Sequence, residues 1–337
     1  MSGRRVLMIV MIIVVAAVIG LAQRPARTPL LDSRGKPLPF GVPAYHKPDV
    51  PLGTGPYKAV MSEEKGLSAH VAYYPADPTK LGAKKLPVVV WANGSCLYAG
   101  NRYRQYLTEI ASHGYLAIAP GRIRNGPGAT VSPTADPPAP RSPQQNPAHL
   151  PKPPTSAADL LSALDWALAE SKDAKSPYFQ KIDPNAVAIS GYSCGGLQAL
   201  QVAADPRVKT LIVMNSGIFN DNTQGISGIE VSKSLLDKLH APTFYILGGE
   251  TDIAYPNGMD DFRRIRQVPA YLGNLIGVGH GGTYWEPNGG KAAQAVVAWL
   301  NWQLQGDQEA AKMFVGENCG LCRDPAWKFA SAAQPAE

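Results

Sequence analysis

The sequence predicts an α/β fold: a doubly wound, mostly parallel sheet with helices on both faces. Short, continuous apolar runs recur along the chain, Leu86–Ala92 and Thr243–Leu247 among them. Runs of that length, without polar alternation, are the pattern of strands buried on both faces of a sheet. Segments of helical composition alternate with these runs, which is how crossover connections build a parallel sheet. Two of the runs then break into polar, glycine-containing turns, Asn93-Gly94-Ser95-Cys96 and Gly191-Tyr192-Ser193-Cys194-Gly195. An open α/β sheet places its ligand site at such carboxyl-end turns.

The chain of 337 residues divides by composition. Arg4-Arg5 precede an uncharged apolar run from Val6 to Ala22 that ends in Gly20-Leu21-Ala22. Residues 1–22 therefore resemble a secretory signal peptide. The alternative is an uncleaved anchor, because the run sits at the short end of what spans a bilayer. Either reading places the body outside the cytoplasm, secreted or periplasmic, and contact with a membrane follows only if the segment stays on. Residues 23–55 are rich in Pro and Gly and read as an extended lead-in. Residues 56–304 form the sheet domain, and residues 305–337 a tail with Cys319-Gly320-Leu321-Cys322. Net charge is +6, yet no dense Lys/Arg run with interleaved aromatics exists, which argues against nucleic acid as a partner.

Within the domain, Tyr57–Met61 and Leu67–Tyr74 flank the polar turn Glu63-Glu64-Lys65-Gly66 and predict a hairpin. Leu86–Ala92 is a buried strand, Arg102–His113 a helix, and Tyr115–Ala119 the next strand. Residues 120–155 hold 11 prolines and almost no aliphatic side chains, so they form an insertion rather than core, either a flap over the site or a surface excursion. Ser156–Ala169 is an amphipathic helix with Ser156 as N-cap and Leu160, Leu161, Leu164 and Leu168 as its apolar stripe. The strand beginning at Ala186 follows, then a helix through Ala203. Val208–Met214 is a strand, and Asn215–His240 a connection with one helix near Val231–Leu239. Strands Thr243–Leu247 and Ala270–Ile276 and a final helix, Lys291–Gln303, complete the order.

Gly191-x-Ser193-x-Gly195 lies where a strand must turn sharply into a helix. Glycine on both flanks relieves the crowding there and lifts the serine hydroxyl clear of the sheet. A hydroxyl attacks well only with a base in hydrogen-bond reach and a third group holding that base. Of His46, His70, His113, His149, His240 and His280, His280 alone sits in a glycine-rich turn, residues 277–282, at the carboxyl end of a strand. Asp252, in the turn after Thr243–Leu247, is the expected orienter, with Glu250 and then Asp221 as alternatives. The oxyanion of acyl transfer needs two backbone donors. The Cys194 amide is one; Ser95 is the expected second, with Gly94 as the alternative.

The order Ser193, Asp252, His280, with the elbow and the Asn93-Gly94-Ser95 loop, resembles the α/β-hydrolase superfamily over residues 57 to 304. The leader, the small connection between the last two strands and Gly279-His280-Gly281-Gly282 resemble secreted esterases of the dienelactone-hydrolase and polyester-hydrolase-like branches. The resemblance implies a serine carboxylester hydrolase, esterase- or lipase-like, that works through an acyl-enzyme on a small ester or a polyester and needs no cofactor and no metal. Two departures stand out. Asn93 takes the place of a His common in relatives, and Cys194 follows the nucleophile. Dienelactone hydrolases carry Cys at the elbow's centre, where this chain has Ser193. Peptidase or amidase action with the same triad is a rival reading, as is a catalytically silent binding protein on the hydrolase fold.

The cysteines are expected to pair as Cys96–Cys194 and Cys319–Cys322. The first bond would join the two oxyanion donors and close a loop of about a hundred residues, worth roughly 4.7 kcal/mol in the chain-entropy model. Cross-pairing between tail and site remains open, as does a redox role for the tail CxxC motif. Tyr98, Tyr192, Tyr284 and Trp285 are expected near the site, either lining an acyl or alcohol pocket or packing beneath it.

Overall fold

A computed structural model describes residues 53–67, 69–124, 128–129, 149–150, 152–221 and 225–332. The leader, nearly all of the lead-in, His46 and most of the proline-rich insertion lie outside these residues. The strands are β1 (Ala59–Ser62), β2 (His70–Pro75), β3 (Leu86–Ala92), β4 (Leu116–Pro120), β5 (His149–Leu150), β6 (Ile182–Tyr192), β7 (Thr210–Met214), β8 (Gly225–Ile226), β9 (Thr243–Leu247), β10 (Ala270–Leu275) and β11 (Trp327–Ala332). The helices are α1 (Arg104–Ser112), α2 (Ala157–Glu170), α3 (Cys194–Val202), α4 (Tyr255–Arg264), α5 (Gly290–Gln305), α6 (Gln308–Ala311) and α7 (Gly320–Arg323).

Nine strands form one sheet in the order β1-β2-β4-β3-β6-β7-β9-β10-β11. From β4 to β10 every pairing is parallel, and only the two edges are antiparallel. The fold is thus the doubly wound α/β sheet expected, compatible with the α/β-hydrolase architecture. β5 and β8 pair separately. The central strands β3, β4, β7, β9 and β10 are buried along their whole length, which explains their unbroken apolar composition. α1 and α5 bury Leu107, Ile110, Val296 and Trp299 on one face of the sheet. α2 and α3 bury Leu160, Leu164, Leu197 and Leu200 on the other. Helix α2 starts where expected, with the Asp159 carboxylate accepting from both the Ser156 amide (2.7 Å) and its hydroxyl (3.0 Å).

After β3 the chain crosses by α1 to β4 on one side; it then returns by α2 to β6 on the other. The strand order reverses between β3 and β6, the place at whose carboxyl ends an open α/β sheet gathers its functional loops. The loops that leave β3, β6, β7, β9 and β10 stand side by side along that edge.

Several elements differ from expectation, the short β5, β8, α6 and α7 among them. The helix near Val231–Leu239 is a 3-10 segment, Lys233–Lys238, in a stretch whose Ser and Asp residues favour local backbone bonds over α-helix. Helix α4 was not anticipated because Pro256 and Gly258 interrupt its pattern. Pro256 lies in the first turn, where its missing amide costs nothing. Gly258 is demanded by packing, since a β-carbon there would lie 2.7 Å from the Ser216 carbonyl oxygen. The tail, in which no strand was foreseen, folds back as β11 against β10, with Leu275 opposite Trp327. It also feeds the core: Phe314 is 2 % exposed and its ring stacks on Trp302 at 5.7 Å, with Trp299 edge-on at 5.2 Å.

Phe314→Ala should therefore destabilise the fold by about 3–5 kcal/mol in denaturant unfolding, as a buried aromatic would. A change under about 1 kcal/mol would show that the tail packs without contributing to the cooperative unit.

Candidate active site

The elbow is built by close approach. Ser193 takes φ 54° and ψ −123°, a conformation that L-residues avoid. A β-carbon on Gly191 would fall 2.2 Å from the Gly195 carbonyl oxygen, and one on Gly195 would fall 2.2 Å from the Ala92 carbonyl oxygen. The Ser193 amide donates to the Met214 carbonyl at 2.9 Å, and the Ser216 hydroxyl donates to the Ser193 carbonyl at 2.7 Å. The nucleophile candidate is thus tied both to the end of β7 and to the turn that follows it.

Ser193 Oγ lies 2.8 Å from His280 Nε2, and His280 Nδ1 lies 2.7 Å from Asp252 Oδ1. An ionised carboxylate only accepts, so Nδ1 carries the proton and Nε2 is left to accept from the serine hydroxyl. Asp252 is 1 % exposed. Its Oδ1 also accepts from the Ala254 amide at 2.9 Å, and its Oδ2 from the Gly248 amide at 3.0 Å and Asn215 Nδ2 at 2.7 Å. Burial by itself would raise this carboxyl. The hydrogen bond and charge of His280, with the two backbone amides, outweigh it and hold the group below the ordinary carboxylate range. The alternatives Glu250 and Asp221 are exposed. Among the other described histidine side chains, His70 bonds the Asp159 carbonyl, His113 bonds Glu109 and His240 bonds the Val208 carbonyl.

The second loop reaches the same place. Ser95 (φ 55°) and Cys96 (φ 47°) turn the chain back after β3, and the Cys96 amide bonds the Asn93 carbonyl at 3.0 Å. A disulfide joins Cys96 to Cys194, with α-carbons 5.3 Å apart, and a second joins Cys319 to Cys322. The pairing expected from the sequence is the one found, and no cross-pairing occurs. α7 opens beside Cys319, but its strand follows rather than precedes it. The disulfide sets the neighbouring Ser95 beside the start of α3, whose first amide, that of Cys194, has no acceptor within the helix. Gly94 lies beneath, packed against the Tyr192 ring and the Tyr103 hydroxyl.

Of the four aromatics, Tyr192 and Tyr284 sit under the site rather than facing it. Tyr192 is 4 % exposed, donates its hydroxyl to the His280 carbonyl at 2.5 Å and holds its ring 5.4 Å from the imidazole. Tyr284 is fully buried and donates to Asn215 Oδ1. Tyr98 and Trp285 are half-buried, with Trp285 stacked on Tyr103 at 5.5 Å.

Sequence reasoning missed Asn215, whose side chain bridges Asp252, the Gly279 carbonyl (3.2 Å) and Tyr284. The available signal was a polar residue placed directly after a buried strand. It also left Asn93 without a role. Buried, Asn93 accepts from Trp91 Nε1 at 3.1 Å and donates to the Leu97 and Pro120 carbonyls, each at 2.8 Å. These bonds clasp the loop that follows β3. Among the described residues no three His, Cys, Asp or Glu side chains converge as a metal site would need. Against known proteins, the chain matches no family model and no curated protein.

Because folding lowers the Asp252 pKa, its ionised form is favoured in the native state. That contribution is complete above the unfolded carboxyl value, about 3.9, and is lost as pH falls through the lower folded value. The stability gap between wild type and Asp252→Asn, read from denaturant unfolding, should accordingly be wider at about pH 7 than at about pH 2. A gap that does not narrow in acid would contradict this electrostatic reading.

Proposed function

We propose that the chain is a serine carboxylester hydrolase acting through an acyl-enzyme. One observation carries the reading: an unbroken hydrogen-bond relay, 2.8 Å from Ser193 Oγ to His280 and 2.7 Å from His280 to a buried Asp252, mounted on a strand-to-helix elbow with positive φ. Ser193 Oγ attacks the ester carbonyl carbon while His280 Nε2 takes the hydroxyl proton. The oxyanion that forms is held by the Ser95 and Cys194 amides. Collapse expels the alcohol, which leaves with the proton from His280, and an acyl-Ser193 ester remains. Water then attacks that ester, gives its proton to His280, and the acid departs as Ser193 is reprotonated. Asp252 fixes the imidazole tautomer and stabilises its charged form throughout.

The dienelactone-hydrolase-like and polyester-hydrolase-like resemblance supports carboxylic esters as the substrate class. The two disulfides support a site of action outside the cytoplasm. No helix among the described residues is long and apolar enough to cross a membrane.

Wild type should react covalently with a fluorophosphonate probe and hydrolyse short p-nitrophenyl esters faster than matched peptide anilides. Ser193→Ala should lose the label and reduce kcat on the order of a million-fold. A wild type that neither labels nor turns over any short acyl ester sinks the proposal. A preference for anilides would shift it to amidase action.

A further inference from the structure

The turn that bears the Ser95 amide does not hold itself. Ser95 and Cys96 are consecutive non-glycine residues with positive φ, 55° and 47°. Such backbone persists only where its surroundings over-determine it. Two restraints are already described: the Asn93 clasp on one side and the disulfide to Cys194 on the other. A third reaches the turn from inside the protein. Thr155 Oγ1 donates to the Cys96 carbonyl at 2.8 Å. Gln198 Nε2 in turn donates to the Thr155 carbonyl at 2.6 Å and approaches its hydroxyl at 3.3 Å.

Both side chains are buried, Thr155 at 2 % and Gln198 at 0 % exposure. A buried amide and hydroxyl are costly unless their hydrogen bonds are made. On α3, Gln198 is flanked by the buried apolar residues Leu197, Ala199 and Leu200. Gln198 is four residues after Cys194, so the two share a face of α3. That face therefore grips Cys96 twice, once covalently through Cys194 and once through the Gln198–Thr155 pair. The helix that supplies one oxyanion amide thus sets the turn that supplies the other.

We propose that Thr155 and Gln198 are positioning residues of the oxyanion hole. Through the Cys96 carbonyl they hold the positive-φ turn so that the Ser95 amide points to where the substrate oxygen gains charge. This rests on the ester-hydrolase reading and adds to it residues that touch neither substrate nor triad. Donors of this kind act on the transition state far more than on bound ester, so their displacement appears in kcat rather than KM.

The test compares wild type, Thr155→Val, Thr155→Ser and Gln198→Met on one short p-nitrophenyl ester, with thermal unfolding recorded for each. Thr155→Val and Gln198→Met should lower kcat about 10- to 100-fold with KM within about twofold. Their affinity for a trifluoromethyl ketone, whose adduct carries the oxyanion, should fall in parallel. Thr155→Ser, which keeps the hydroxyl, should restore most of kcat. Should Thr155→Val fail to fold, Gln198→Met, which conserves volume, decides the matter. Folded variants with wild-type kcat, or a loss that leaves ketone affinity intact or is not rescued by serine, overturn the proposal. An inert wild type overturns instead the hydrolase reading beneath it, so the two failures are distinct.

Discussion

How near the elbow backbone can come to the end of β3 governs the arrangement of everything on this edge of the sheet. Gly195 leaves no room for a β-carbon against the Ala92 carbonyl, and Gly196 leaves none against the Ser216 side chain, where the gap would be 2.4 Å. With side chains at these positions α3 would ride higher. Its first amide would then move away from the Ser95 turn, and the 5.3 Å α-carbon separation of Cys96 and Cys194 would open. The close approach has a cost at Ser193, which must take a positive φ. That cost, of order 1–3 kcal/mol, is borne by bonds to Met214, Ser216 and His280 on its three sides.

Strand order does the rest of the assembly. β6, β7, β9 and β10 are successive neighbours, so the turns carrying Ser193, Asn215, Asp252 and His280 follow one another at intervals set by strand spacing, about 4.8 Å. Serine and histidine come from strands three places apart, and the His280 turn must fold back across the sheet edge to reach Ser193. The Gly279 amide makes that return by bonding the Gly248 carbonyl at 2.7 Å. Gly248 is itself closely packed, since a β-carbon there would strike the Gly279 carbonyl oxygen. Asn215 fills the interval between β6 and β9, which explains why an amide with both donor and acceptor ends stands there rather than a second carboxylate.

Much of this was legible in the sequence because the responsible signals are local. Unbroken apolar runs mark β3, β7 and β9, and glycines mark the turns at Ser193 and His280. The Cys96–Cys194 bond was readable because each cysteine neighbours a turn already identified. What escaped notice depends on residues far apart in the chain. Gly258 breaks a helical pattern locally and is required by Ser216, 42 positions earlier. Thr155 and Gln198 meet over 43 residues, and neither has a sequence motif. Strand β11 exposes half of its residues, as an antiparallel edge can, and its mixed composition of Trp, Lys, Phe, Ala and Ser carries no burial pattern of its own.

That edge strand bears on the site from behind. Without β11, β10 would be the rim of the sheet with an unpaired row of backbone groups, free to fray at the end that carries the His280 turn. With it, Leu275 pairs with Trp327, and the Ile276 amide bonds the Ala326 carbonyl at 2.8 Å, one residue before the turn begins. The Cys319–Cys322 bond tightens the bend that brings this segment back, and Lys291 pairs with Asp324 to fix it against α5. The two disulfides therefore stabilise opposite ends of the relay: one restrains the elbow and its facing turn, the other the strand that underlies His280. A chain with few charged residues, 17 % of the total, relies on covalent and backbone ties for this precision. Such ties also make the geometry less sensitive to salt than one held by surface ion pairs.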